Sequence, residues 1–240
     1  AALGLSGYLL DLLGVAPGRS HTVVAVLASL AVTAFVAGGI RRSNLGNAVV
    51  VGMALTGLLL LVGFALPTVV TEGAGRFVPA LPDDRSGVSA LLYGAALMFV
   101  SYTGYGRVAT LGEEVHDPPR TIPRAIIVTM AVVTVLYLCV AMAGVGVLGA
   151  EGFGAAAERS AAPLEAVALA LNRPWLTVLV AISATAAMAG VLLNLILGLS
   201  RVLLAMARRG DAPSFLARVD EARGSPVTAV WCCGLLVALI

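Results

Sequence analysis

The chain has 240 residues, a formal net charge of +2, and a composition that is 60% hydrophobic and only 12% charged, with a mean hydropathy of +1.00. Soluble domains carry about 25% charged residues, so a water-soluble globule is excluded. No basic run exceeds two residues, and nucleic acid is not expected as a partner.

Apolar stretches long enough to cross roughly 30 Å of hydrocarbon recur along the sequence. The first, 1–15, reads as the end of a helix; it lacks a basic leader and carries Asp11, which argues against a signal peptide. Complete spans are expected at 22–40, 45–66, 88–110, 125–148 and 176–205. The last is longer than a bilayer needs, so it must tilt or project into water. The stretch 227–240 reads as the start of a further helix, too short to cross. The expected fold is all-α and polytopic, a single transmembrane domain over 1–240 cut from a larger protein. Its surroundings are the lipid bilayer of a plasma membrane, the inner membrane of a bacterium.

All fifteen basic residues are arginines. Arg41, Arg42, Arg120, Arg124, Arg208, Arg209, Arg218 and Arg223 fall between spans on one side; Arg19, Arg76, Arg85, Arg159 and Arg173 fall on the other. The richer side is expected to be cytoplasmic. The two longer loops, 67–87 and 149–174, are then external, punctuated by proline and glycine and rich in acids.

The span 88–110 interrupts its own pattern. Its middle holds Ser101, Tyr102, Thr103, Gly104, Tyr105, Gly106 and Arg107 where leucines would be better tolerated in lipid. Backbone without a partner costs several kcal/mol in hydrocarbon, roughly 2–7. Irregular backbone is tolerated there only against protein or a wet cavity, and a glycine-interrupted membrane helix points to a transporter's binding site. Two readings stay open: Gly104 and Gly106 break the helix at such a site, or they let two helices pack closely.

Chemistry of other kinds finds no support. Cys139, Cys232 and Cys233 lie in apolar spans without metal spacing and read as small buried hydrophobes. The cluster Glu113, Glu114, His116 and Asp117 reads as a solvated turn, so no metal and no cofactor is expected. No paired nucleophile and base is present, so the chain is not expected to be an enzyme.

Residues 99–126 read F-V-S-Y-T-G-Y-G-R-V-A-T-L-G-E-E-V-H-D-P-P-R-T-I-P-R-A-I. This resembles the sixth helix and following loop of amino acid permeases of the amino acid–polyamine–organocation superfamily. Their pattern is aromatic-x-Gly-aromatic-acid, a Glu-Glu pair, then Asn/Asp-Pro-x-Arg-x-x-Pro-Arg. Residues 200–208 with Gly210, Pro213 and Ser225-Pro226-Val227 resemble the end of the eighth helix and the start of the ninth. Gly4-Leu5-Ser6-Gly7-Tyr8 is similar, more weakly, to a stretch of the third helix. So registered, the resemblance runs from within the third helix into the ninth, and its cytoplasmic loops are those the arginines select.

The resemblance implies a five-plus-five inverted-repeat (LeuT-like) fold whose first and sixth helices are unwound at mid-membrane. The first helix would lie outside this chain, and 1–240 alone is then not expected to transport. The substrate would be an amino acid or related small amine, held at Val100, Ser101, Tyr102, Thr103, Gly104, Tyr105 and Gly106. Its ammonium would meet the carbonyls around Val100, Ser101 and Thr103, and Tyr105 would act as a lid, its packing alternative staying open. Arg107, Glu113 and Glu114 are candidates for a gate, with Arg107 pairing with the acids or snorkelling to the interface. Asn194 is a candidate for the pathway or for a contact with another helix. Ser183 and Thr185 are expected to bond back to their own helix.

Three departures qualify the resemblance. Gly106 and Arg107 stand where many relatives have an acid and a small residue. The stretch 50–54 is apolar where some relatives place a lysine, so it names no coupling ion, proton or sodium. Arg209 replaces the usual acid between Arg208 and Gly210. A transport-inactive membrane sensor or structural subunit on the same scaffold is the alternative function. The sequence sets no oligomeric state.

Overall fold

The computed structural model describes residues 2–12, 19–77, 87–102, 104, 115, 117–159, 162–220 and 225–239. Among them every regular element is helical apart from a single antiparallel bridge between Asp220 and Ser225. Three helices, Leu45–Glu72, Pro118–Glu158 and Pro174–Arg209, are long and apolar enough to cross a membrane. Shorter apolar helices are His21–Ala37, Gly87–Tyr102 and Val227–Leu239. The protein is an all-α, multi-pass membrane protein. The chain forms two compact units, Ala1–Leu61 with Ala157–Ile240, and Val62–Ala156.

The first unit is built on one central helix. It contains α1 (Ala2–Leu12), α2 (Arg19–Ala37), the first part of α3 (Ile40–Glu72), α6 (Pro163–Ala170), α7 (Pro174–Arg209) and α8 (Val227–Leu239). α7 buries Leu176, Val180, Ser183, Gly190, Leu193, Ile196, Ser200 and Ala207. Their spacings of three, four and seven residues form one stripe on a helix. Leu192, Leu193 and Ile196 pack with Leu5 of α1, Val36 and Ala37 of α2, and Val230 of α8.

Lipid tails are as apolar as leucine, so helices in a bilayer associate through close packing of small residues and through polar contacts. Both occur here. A Cβ added to Gly234 of α8 would overlap Thr33 of α2, and one added to Gly57 of α3 would overlap Ser183 of α7. One added to Gly190 would lie 2.7 Å from Val50. The hydroxyls satisfy themselves locally: Ser29 donates to the Ala25 carbonyl at 2.9 Å, Thr33 to Ser29 at 2.6 Å and Thr185 to Ala181 at 2.8 Å. Thr185 thus bonds back to its own helix as expected.

The turn between α2 and α3 is two glycines, Gly38 and Gly39. Gly39 has φ of 122°, left-handed backbone that side chains disfavour, and its carbonyl already accepts the Ser43 N–H of α3 at 3.1 Å. α3 therefore starts at Ile40, and Arg41 and Arg42 lie on its first turn instead of in a loop. α7 ends on Gly210, φ 86°, with Arg208 and Arg209 in the last turn, where cations suit the negative helix end.

The second unit holds the end of α3, a 3-10 turn at Gly73–Gly75, α4 (Gly87–Tyr102) and α5 (Pro118–Arg159) up to Ala156. α5 runs past the end of the apolar span. Gly149, at φ 75° and ψ 165°, breaks its geometry, but the chain resumes as helix through Arg159. The expected external loop 149–174 thus contains this segment and α6. The cause is composition: the stretch is rich in alanine and glutamate, strong helix formers whatever their hydropathy. Before Gly149, Arg76 donates to the carbonyls of Gly146 and Val147 and pairs with Glu72 at 2.8 Å. Those carbonyls belong to a helix end and lack an intrahelical donor.

Arg120 opens α5 with its side chain exposed, 3.8 Å from Asp117. With the native cysteines replaced, Arg120→Cys is expected to react with an impermeant maleimide only after cells are permeabilised. Labelling of intact cells would reverse the orientation drawn from the arginines.

Candidate functional site

α4 has no buried residue, and Leu91, Leu92, Leu97, Phe99 and Val100 are exposed along it. The helix covers Gly87–Tyr102, and Gly104 lies in 3-10 geometry. The last turn of an α-helix leaves four carbonyls without an intrahelical donor. Near this end the Ser101 carbonyl accepts the hydroxyl of Tyr137 on α5 at 3.2 Å. Next to it, Tyr102 donates its hydroxyl to Thr134 Oγ1 at 3.0 Å, and Thr134 donates to the Met130 carbonyl at 2.8 Å. The two tyrosine rings meet edge to face, with centroids 5.4 Å apart and planes at 72°. This geometry is favourable for aromatic pairs. Two tyrosines, one from each helix, thus fasten the end of α4 to α5.

A Cβ built on Gly104 meets no described atom within 4 Å. Among the described residues Gly104 thus differs from Gly57 and Gly234, where an added Cβ would overlap a neighbour. Of the other residues expected at the site, Val100 and Ser101 are exposed and Tyr102 is half-buried. Thr103, Tyr105, Gly106, Arg107, Glu113 and Glu114 lie outside the described residues.

Asn194 belongs to the first unit. Its amide donates to Asn47 Oδ1 on α3 at 2.7 Å and to the Gly190 carbonyl at 2.9 Å. The sequence expectation of a pathway residue or a contact with another helix meets here a direct bond between two helices. In membranes such interhelical bonds average about 0.6 kcal/mol. No group of three metal-ligating side chains occurs among the described residues.

Sequence reasoning missed Tyr137, Thr134 and Asn47. Each is a hydrogen-bonding side chain inside an otherwise apolar span, which is the available signal. Their partners lie 36, 32 and 147 residues away, distances over which no local pattern operates.

A family model described as amino acid permease matches residues 2–240. An uncharacterized transporter of Mycobacterium tuberculosis is 39% identical over 228 residues, 93% of this chain and 49% of the relative. The branched-chain amino acid permease BcaP of Bacillus subtilis is 28% identical over 211 residues, 88% of this chain and 43% of the relative. The methylthioribose transporter of the same organism is 26% identical over 221 residues, 92% and 46% of the two chains. The chain spans about half the length of these relatives.

Proposed function

We propose, because this chain belongs to the amino acid permease family, that the complete protein is a secondary active transporter of amino acids or related small amines that works by alternating access. Its scaffold is the inverted repeat implied by the family resemblance, in the inner membrane of a bacterium. The substrate sits where α4 gives way, at residues 100–106, and no covalent chemistry is involved. The observation that carries this reading is the Ser101 carbonyl, which at the end of α4 takes a side-chain donor. A carbonyl at the C-terminal end of a helix carries partial negative charge, suited to an ammonium group. That no described atom lies within 4 Å of a Cβ on Gly104 supports the same placement. Tyr105 covers the bound substrate. Arg107, with Glu113 and Glu114, forms the cytoplasmic gate, and Asn194 holds α7 to α3.

The substrate class is the part that relatives leave widest, since one is named for branched-chain amino acids and another for methylthioribose. Uptake of radiolabelled amino acids by the complete protein in proteoliposomes decides it. Saturable uptake is expected, inhibited by unlabelled amino acids with a free α-ammonium and not by their N-acetyl derivatives. Folded protein that neither binds nor transports them would favour the sensor or structural subunit. Inhibition by the N-acetyl forms would remove the ammonium from the Ser101 carbonyl.

A further inference from the structure

We propose that Tyr137 is a further ligand for the substrate's ammonium group, an inference that rests on the transport reading above and extends its site onto α5. A phenol has one proton to donate and lone pairs to accept with. Tyr137 commits its proton to the Ser101 carbonyl at 3.2 Å. Its oxygen can then meet any ligand at that point only as an acceptor. Two oxygens of neighbouring elements, one carbonyl and one phenolic, thus present lone pairs to the same small region. A carbonyl has a second lone pair to offer, so Ser101 can keep the tyrosine and still receive a cation. An ammonium carries three donors and can bridge both oxygens; a hydroxyl or an N-acetyl amide brings a single donor and no charge.

The arrangement is held before any ligand arrives. The ring of Tyr137 is braced edge to face by Tyr102, and Tyr102 is itself tied to Thr134 one turn away on α5. Preorganisation of this kind lowers the ordering cost of binding. In the empty state Tyr137 also supplies the Ser101 carbonyl with a donor, which backbone in a bilayer requires. Tyr137 therefore serves the unoccupied helix end and the occupied one with the same hydrogen bond.

The test uses the complete protein in proteoliposomes with a radiolabelled amino acid that the wild type transports. Tyr137→Phe keeps the ring and removes the oxygen. A lost hydrogen bond to a charged group predicts a KM raised roughly tenfold or more, with maximal rate near that of the wild type. Thr134→Val removes the acceptor of Tyr102 and leaves the Ser101 carbonyl and the Tyr137 oxygen in place; its KM is expected to rise less than that of Tyr137→Phe. A deaminated analogue of the substrate should compete equally well against both Tyr137→Phe and wild type. An unchanged or lowered KM in Tyr137→Phe overturns the proposal, the lowered value because it makes Tyr137 a competitor of the ammonium. Equal rises in both variants overturn it too, since the tyrosines would then merely fasten α4 to α5. Failure of Tyr137→Phe alone to give monodisperse protein makes the hydroxyl structural and overturns the proposal as well. Absence of uptake by the wild type is a separate result: it removes the transport reading, and this assignment with it.

Discussion

Gly104→Leu in the complete protein is expected to abolish amino acid uptake while leaving the amount of protein in the membrane near that of the wild type. The two halves of this outcome come from different observations. Gly104 follows the last residue of α4 by two positions and lies in 3-10 geometry, where the proposed substrate meets open backbone. Leucine there fills the space a ligand would occupy. No described atom lies within 4 Å of the added Cβ, so no described neighbour opposes the side chain and the variant is expected to fold. Tyr105→Ala is expected to raise KM and preserve folding, because a cover over the substrate is lost. Surface expression and uptake kinetics, measured together, separate the outcomes. Wild-type kinetics in Gly104→Leu would remove the binding site from this segment. Expression falling in step with side-chain size would return Gly104 to a packing role.

Gly234→Leu is expected to produce the opposite pattern, loss of folded protein before any question of transport. The Cβ alone would overlap Thr33, a side chain that is fully buried and already donates to Ser29. Val230, Ala229 and Cys233 of α8 are buried around it, so α8 has little freedom to retreat. Overpacking a dense interior costs about 1–3 kcal/mol, and Gly234→Ala should fall in that range. Leucine adds three further carbons to the same overlap and should prevent stable association of α8 with α2. Thermal stability followed by size-exclusion chromatography is the measurement. A Gly234→Leu variant as stable as wild type would mean that α2 and α8 do not pack as described. The two glycines thus make a matched pair, one dispensable for folding and one required for it.

Composition and hydropathy are enough to read the class of protein, because a bilayer leaves helices as almost the only way to satisfy backbone polar groups without a barrel. The glycines and hydroxyls after Val100 mark a departure from the apolar pattern, and the described helix runs two residues into it, to Tyr102. What escapes are features set by partners rather than by period. Tyr137 reads as one aromatic among valines and leucines until the Ser101 carbonyl is placed beside it. Asn194 stands out as costly in lipid, but its partner Asn47 on α3 does not. The α6 segment and the continuation of α5 past Gly149 read as loop because hydropathy fades there, while helix propensity does not. The separate behaviour of Gly57, Gly104 and Gly234 has no sequence signature at all, since each is a glycine in or beside a hydrophobic helix.

The two-glycine turn at Gly38 and Gly39 constrains how this part of the protein can change in length. α3 begins at once after it, with the Ser43 N–H already bonded to the Gly39 carbonyl. A residue inserted there has two fates. It can join α3, rotating every later side chain by about 100° about the helix axis. Asn47 then leaves Asn194, Val50 leaves Gly190, and Gly57 no longer faces Ser183. Or it can bulge out, breaking the bond that starts the helix and adding a third residue to a turn shaped for two. Insertions and deletions at this corner should therefore be selected against far more strongly than substitutions, making it a fixed point in the lineage of the chain.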